Sequence, residues 1–332
     1  MAKLKLGLYW AASCGGCEIA VLEIGDRILT LLEHADVVFW PCVADFKYKD
    51  VQAYDDGYMD VCLFNGAIRN SEGEEVAQLL RKKSKVLVAF GSCATKGCIP
   101  ALANLYGRQE LLDRAYLECE SVDNPQKIFP QTETAVAEGK LHLPEFYTTV
   151  RTLADVVPVD YFLPGCPPVA DRIWDVVLAI VGGNLPSAGS VVGVGDKAVC
   201  DECKREKRQV KITKFHRPHE IIPEPDWCLL EQGILCMGPA TRSGCGALCL
   251  NADMPCRGCY GPTANEEDQG AAMMGAIGSI IDAKDDDAAK AIIDGLPDPA
   301  GYFYRFGMSK STLLRRKLRN NGKREVKIEV LK

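Results

Sequence analysis

The chain has 332 residues, of which 47% are hydrophobic and 25% charged, and its formal net charge is −6 at pH 7. This length and composition predict globular domains with buried cores, and the net negative charge disfavours a nucleic-acid partner. Two basic runs, at 204–217 and 315–327, are typical of solvated faces or docking patches. The sequence has no run of about 18 apolar residues and no secretory signal pattern, so we expect no membrane span and a cytoplasmic location.

Predicted strands and helices alternate through the first half of the chain. A strand at 3–9 is followed by a glycine-containing loop and by an apolar pattern of helical spacing at 18–33. This alternation predicts an α/β fold with a doubly wound, mostly parallel sheet. The remaining predicted strands are 36–40, 58–65, 85–90 and 158–163, and the remaining predicted helices lie near 72–83, 100–117 and 168–182.

Four cysteines follow strands of the predicted sheet. Cys14 and Cys17 follow the first strand in the motif SCGGCE, and Cys93 and Cys166 each follow a later strand. Functional sites of doubly wound sheets lie beyond the carboxyl ends of the strands, so we expect these thiols to converge on one four-thiolate site. A thioredoxin-like redox pair is an alternative for Cys14 and Cys17, but a dithiol catalyst has no use for four converging thiols. No G-x-G-x-x-G motif opens the first helix and no P-loop is present, which disfavours a nucleotide site.

The second half contains a dense cysteine region. A segment with little pattern at 183–196 predicts a domain boundary, and eight further cysteines follow it. Thiols in a reducing compartment are more often metal ligands than disulfide partners, and eight thiols make two sets of four. Their spacing leaves both zinc sites and iron–sulfur clusters open, but a third four-cysteine site at the sheet edge favours clusters, because zinc is redox-inert. The eight are Cys200, Cys203, Cys228, Cys236, Cys245, Cys249, Cys256 and Cys259.

Four motifs resemble those of the small subunit of NiFe hydrogenases: SCGGCE, GSCATKGC, PGCPP and the closing CMGPATRSGCGALC…PCRGCYGPT. The resemblance spans residues 3 to about 263 and is strongest to the cytoplasmic group 3 branch, the methyl-viologen-reducing (F420-non-reducing) type. It implies a flavodoxin-like domain at 1–185 that carries a proximal cluster, and a smaller, irregular two-cluster domain at 186–265. The remaining 266–332 is expected to be a helical and basic extension packed on a partner subunit.

The resemblance also implies three 4Fe–4S clusters on this chain. Cys200 and Cys249 stand where periplasmic members of the family have a histidine ligand and a proline, so four cysteines are implied for every cluster. The implied proximal ligands are Cys14, Cys17, Cys93 and Cys166; the distal ligands are Cys200, Cys203, Cys228 and Cys236; and the medial ligands are Cys245, Cys249, Cys256 and Cys259.

Four cysteines remain outside these sets. Cys42 and Cys62 lie in or beside apolar strands and are predicted to be buried as small hydrophobic residues. Cys98 stands where oxygen-tolerant members of the family place one of two supernumerary cysteines, but the companion position is Gly16, so an ordinary proximal cubane is expected. Cys119 lies in no recognisable pattern.

The function that the resemblance implies is electron transfer within a NiFe hydrogenase. Nickel is expected on a large partner subunit, a further iron–sulfur or flavin subunit is expected to take up the electrons, and no nickel, flavin or nucleotide is expected on this chain. Glu18 is implied as a proton acceptor that faces the NiFe site, although a helix N-terminus alone also favours a carboxylate there. The histidines His216 and His219 are a weaker candidate metal pair, because twelve thiols already complete three sites.

Two other functions stay open from the sequence. A zinc-stabilised interaction module would use the same cysteine sets. The quinone-proximal cluster subunit of respiratory complex I shares the expected fold, but it uses adjacent cysteines and lacks an eight-cysteine second domain.

Overall fold

The computed structural model describes residues 3–315. The β-strands of these residues are β1 (Leu4–Trp10), β2 (Ala35–Phe39), β3 (Met59–Asn65), β4 (Ile68–Asn70), β5 (Ser84–Phe90), β6 (Glu133–Val136), β7 (Gly139–His142), β8 (Phe146–Arg151), β9 (Tyr161–Leu163) and β10 (Ser190–Val191). The α-helices of the same range are α1 (Gly16–Leu22), α2 (Arg27–His34), α3 (Tyr48–Ala53), α4 (Ser71–Lys83), α5 (Gly91–Lys96), α6 (Arg108–Tyr116), α7 (Ala170–Val181), α8 (Leu248–Asn251), α9 (Gln269–Ile280), α10 (Asp286–Asp294) and α11 (Pro299–Phe303).

The main sheet has six parallel strands in the order β10-β9-β5-β3-β1-β2. Alternate side chains of each strand point to opposite faces. In β1, Leu8 packs in the core that contains α1, α2 and α7, whereas Tyr9 packs in the core that contains α3 and α4. A sheet buried on both faces requires nearly continuous apolar strands, as in β3 and β5. The predicted doubly wound α/β fold is confirmed, and the strand order is flavodoxin-like.

Several local predictions differ from the structure. The helix predicted at 18–33 is two helices, since the chain turns at Gly25 with a φ of 71°. The region predicted as a helix at 100–117 begins as a 3₁₀ turn, Ile99–Leu105, and continues as α6. The hairpin of β6 and β7 was not expected, and every side chain in both strands is exposed. Strand β10 joins the main sheet although it lies beyond the boundary placed at residue 185.

The second half has little regular structure and one shared core. Leu230 and Met237 of the cysteine-rich segment pack in the same apolar cluster as Met273 of α9 and Phe303 of α11. Much of the segment predicted to lie on a partner subunit therefore packs on this chain. Residues 316–332, with most of the second basic run, lie outside the described residues. Within residues 3–315, no helix is long and apolar enough to cross a membrane.

Candidate metal centres

The four predicted proximal cysteines lie at the carboxyl edge of the sheet. Cys17 is in α1, directly after β1; Cys93 is in α5, directly after β5; and Cys166 follows β9. Burial raises the pKa of the Cys17 thiol, and the neighbouring thiols of Cys93, Cys166 and Cys14 raise it further. Gly91 makes this approach possible, because a Cβ atom at Gly91 would lie 2.3 Å from Cys17 Sγ. The structure thus brings together thiols from three separate strand ends.

The predicted medial cysteines share one cavity. Cys166 and the adjacent Pro167 contribute to the wall of this cavity, whose volume is about 350 Å³. Burial raises the pKa of Cys256 to about 12 and that of Cys259 to about 12. Such thiols lose their protons readily only when a bound cation compensates the charge. The four cysteines that line the cavity are Cys245, Cys249, Cys256 and Cys259.

The predicted distal cysteines share a second cavity, of about 210 Å³. A Cβ atom at Gly238 would lie 3.1 Å from Cys200 Sγ and 3.6 Å from Cys236 Sγ, so glycine lets both sulfurs approach the same backbone. Burial raises the pKa of Cys200 to about 11, and nearby Lys207 opposes that rise. The buried Nε atom of Arg205, which also lines the cavity, has no hydrogen-bond partner among the described residues. The cysteines are Cys200, Cys203, Cys228 and Cys236.

The three cysteine sets lie next to one another in a row. Cys166 of the first set forms part of the wall around the second set, and it packs in one cluster with Cys259. The hydroxyl of Ser92, at the proximal edge, donates to the carbonyl oxygen of Cys259. The backbone N–H of Cys256 donates to Cys236 Sγ at 3.3 Å, which joins the second set to the third. The set that contains Cys256 therefore lies between the other two.

The C-terminal helices support the cysteine loops directly. The buried amide of Gln269 in α9 donates to Thr241 Oγ1 at 3.1 Å and to the carbonyl oxygen of Gly258 at 3.0 Å. Phe306, which follows α11, packs against Cys93. No motif in the sequence pointed to these contacts, because they join segments that are distant along the chain.

The carboxylate of Glu202 supports the loop that contains Cys245. It accepts hydrogen bonds from the backbone N–H groups of Gly244, at 2.8 Å, and Gly246, at 3.0 Å. We expect Glu202→Ala to speed the loss of iron to a chelator about 10–100-fold, as removal of groups that orient metal ligands commonly does. The measurement is the rate of bleaching of the purified complex under anaerobic chelation. Glu266→Ala, which removes an exposed carboxylate outside the cysteine loops, is the control, and equal rates for the two variants would refute this role of Glu202.

Glu18 is buried beside the proximal set. Its side chain lies in the first turn of α1, and the residue is only 5% exposed. The indole N–H of Trp40 donates to one carboxylate oxygen, and the amide N–H of Asn65 donates to the other at 3.5 Å. Burial raises the pKa of Glu18, and these two hydrogen bonds partly oppose the rise. Trp40 follows β2 and Asn65 ends β3, the two strands that flank β1, and this position at a strand end is the one sequence signal that could have found them.

Of the two cysteines outside the three sets that were predicted to be buried, one is buried and one is exposed. Cys62 is fully buried in β3, as predicted. The prediction for Cys42 was wrong: it is exposed, because the chain turns away from the sheet after β2 and Cys42 lies in that turn. Cys119 is partly exposed and lies 3.2 Å from the hydroxyl of Ser121. The thiol of Cys98 donates to Cys166 Sγ at 3.7 Å and lowers the pKa of Cys166.

Within the described residues, His216 and His219 do not form a metal site with a third ligand. His216 Nδ1 lies 3.7 Å from a carboxylate oxygen of Glu220, and His219 is exposed. In the described range, 3–315, no three His, Cys, Asp or Glu side chains are grouped closely enough to hold a single metal ion.

Comparison with known proteins places the chain in a family. Residues 14–180 match the model of the NADH ubiquinone oxidoreductase 20 kDa subunit family. The iron–sulfur subunit of the F420-non-reducing hydrogenase of Archaeoglobus profundus is 40% identical over 311 residues, which cover 92% of this chain and 96% of that protein. An F420-non-reducing hydrogenase subunit from Methanothermobacter marburgensis is 36% identical over 329 residues, covering 97% of this chain and 99% of that protein.

A solved structure, a recombinant [NiFeSe] hydrogenase from Desulfovibrio vulgaris Hildenborough, matches 80% of this chain and 96% of its own with a TM-score of 0.50. Its identity is 16%, so this match bears on the fold alone. The relationship predicted from the cysteine motifs is confirmed by the sequence relatives. The chain belongs to the iron–sulfur subunits of F420-non-reducing hydrogenases, a group 3 branch of the NiFe hydrogenase small subunits.

Proposed function

We propose that this chain is the electron-transfer subunit of a cytoplasmic NiFe hydrogenase and that it holds three 4Fe–4S clusters in the order proximal, medial, distal. The observation that carries the proposal is the row of three four-cysteine sets, linked by the contacts of Cys166 with Cys259 and of Cys256 with Cys236. When bound, such clusters accept and release single electrons, over potentials that reach about −700 mV. A cytoplasmic location agrees with sixteen cysteines that are all free thiols.

The residues present fit the clusters. Each of the medial and distal sets surrounds a cavity, and the buried thiols need a cation before they ionise. Zinc would fit a four-cysteine set as well, but zinc is redox-inert and gains nothing from being placed in series. Three four-cysteine sets in contact with one another therefore favour clusters that pass electrons. The glycines at 91 and 238 leave room for the sulfurs to approach such a cluster.

A large subunit that carries the NiFe site is the first partner we propose. Cys14 is exposed on this chain, and large apolar side chains near it are exposed as well. These are Trp10, whose ring lies over Gly15, and two residues of the adjacent helix α1, Ile19 and Leu22. Exposed apolar groups of this size around a metal ligand favour a surface that a partner covers. Glu18, in the same α1 segment, is then proposed as the proton acceptor that faces the partner's site.

A further redox subunit, of the iron–sulfur or flavin type, is the second partner we propose. It would receive electrons at the distal set, where the exposed Lys207 lines the cavity.

A quinone-linked function is the second candidate, because the family model that matches residues 14–180 is named for a ubiquinone oxidoreductase subunit. That match ends before Cys200, whereas the hydrogenase relatives match over at least 92% of the chain. The cysteine-rich second half therefore favours the hydrogenase function.

The test is anaerobic metal and sulfide analysis of the purified complex, with absorption and EPR spectra. We expect a brown complex in which this chain accounts for about twelve iron and about twelve sulfide, in addition to the iron and sulfide of its partner subunits. A colourless protein with up to three zinc would support the interaction module instead. Disulfide reduction by a metal-free protein would support the dithiol catalyst, and either result would overturn the proposal.

A further inference from the structure

Cys98 is buried among the proximal thiols but belongs to none of the three ligand sets. It is 0% exposed, and its Sγ lies 3.7 Å from Cys166 Sγ. Cys98, Cys93 and the ring of Phe306 form one buried cluster, with Cys166 and Cys259 packed against it. Within the described residues, the Cys98 thiol has sulfur as its hydrogen-bond acceptor, so its S–H group is directed at the proximal ligands.

The backbone holds Cys98 in a conformation that favours glycine. Its φ is 48° and its ψ is −144°, a combination that costs a non-glycine residue about 1–3 kcal/mol. The preceding Gly97 also has a positive φ, of 88°, and a Cβ atom there would lie 2.3 Å from Ser309 Oγ. Ser309 of the C-terminal segment therefore packs closely on Gly97, and the turn directs the side chain of Cys98 towards Cys166. Backbone strain of this kind is found most often at functional sites.

We propose that Cys98 is a positioning residue for the proximal centre: its S–H group donates a hydrogen bond to the Cys166 ligand sulfur and raises the reduction potential of the bound cluster. This inference rests on the proposed function, because it requires a cluster on Cys166. A donor directed at a ligand sulfur stabilises the reduced form more than the oxidised form, since reduction adds negative charge to the sulfurs. Hydrogen bonds to sulfur are among the factors that set cluster potentials.

The experiment is an EPR-monitored redox titration of the proximal centre in the anaerobically purified complex. We expect Cys98→Ala to lower the equilibrium constant for one-electron reduction about tenfold, which corresponds to 59 mV. Cys98→Gly should give the same shift in reduction potential, and glycine adopts the backbone conformation of residue 98 without strain. The glycine variant therefore tests the inference even if the alanine variant fails to fold. Cys98→Ser keeps an O–H donor and should retain most of the wild-type potential.

The control is Cys62→Ala, which removes another fully buried thiol, in β3 on the face of the sheet packed by α3 and α4. Its proximal potential should equal that of the wild type. An unchanged potential in both Cys98→Ala and Cys98→Gly, with full iron content, would overturn the inference. So would loss of iron or a changed cluster type in the glycine variant, because Cys98 would then be a ligand. A wild-type complex without any cluster signal would instead contradict the proposed function itself.

Discussion

Glu18→Gln is expected to slow hydrogen turnover about 10²–10⁴-fold, the range that removal of a general acid or base commonly costs. The residue is 5% exposed and lies next to Cys17, a proposed cluster ligand, within the face that we assign to the large subunit. A glutamine at this position cannot take up and release a proton, although it has nearly the same size and shape. The measurement is hydrogen uptake with methyl viologen, together with H₂/D₂O isotope exchange.

The local structure tolerates this substitution. The new amide oxygen can still accept the hydrogen bond from the Trp40 indole. The Asn65 amide, whose N–H group faces Glu18, can turn over so that its oxygen Oδ1 accepts from the new amide N–H. That oxygen is buried and has no hydrogen-bond partner among residues 3–315. Asn65 Oδ1 can likewise accept a hydrogen bond from Glu18 when Glu18 is protonated. Such a partner agrees with a carboxyl group that takes up and then releases a proton. Iron content and EPR spectra should therefore stay unchanged.

Glu33→Gln is the control for Glu18→Gln, because Glu33 is an exposed carboxylate in α2. It should leave turnover at the wild-type rate. Wild-type rates of both uptake and exchange in Glu18→Gln would remove the proton-transfer role. A loss of iron in that variant would mean that Glu18 supports the proximal loop instead.

The positions of the predicted proximal ligands could be read from the sequence because they follow directly from the order of the elements. Strands β3 and β5 are continuous apolar runs, and only a sheet buried on both faces requires such runs. The carboxyl ends of parallel strands lie on one edge, so cysteines placed just after strands had to meet there. The convergence of Cys17, Cys93 and Cys166 could therefore be predicted without any information on side-chain packing.

The surroundings of those ligands could not be predicted in this way. The contact between Cys98 and Cys166 is made from a strained turn at Gly97 and Cys98. Ser309, 212 positions further along the chain, packs on Gly97, a long-range contact with no periodic signal. The exposed strands β6 and β7 lack the alternation of buried and exposed side chains that identifies a strand. Local pattern thus predicted the elements, whereas tertiary contacts determined the environment of each sulfur.

Cys249→Ala is expected to disrupt the medial centre, because the three remaining cysteines can hold a three-iron cluster at most, and to lower electron export from the complex by at least about tenfold. A group that only orients a ligand commonly contributes 10–100-fold to a metal site, and a ligand itself contributes more. Cys249 is the exposed member of its set, so its removal disturbs the core less than removal of buried Cys256 would. About one of about twelve iron atoms per chain should be lost if a three-iron cluster remains, and about four if the whole centre is lost.

The comparison of Cys249→Ala with Glu18→Gln separates electron transfer along the row of cysteine sets from proton transfer at the partner's site. H₂/D₂O exchange needs proton movement at the partner's site but no net export of electrons, so Cys249→Ala should keep exchange and lose viologen reduction. Glu18→Gln should lose both. Cys119→Ala, which removes a partly exposed thiol outside the three sets, should keep both and retain all iron. If Cys249→Ala also keeps its full iron content and its viologen reduction, the cavity lined by the medial set does not hold a cluster that lies on the route between the other two sets.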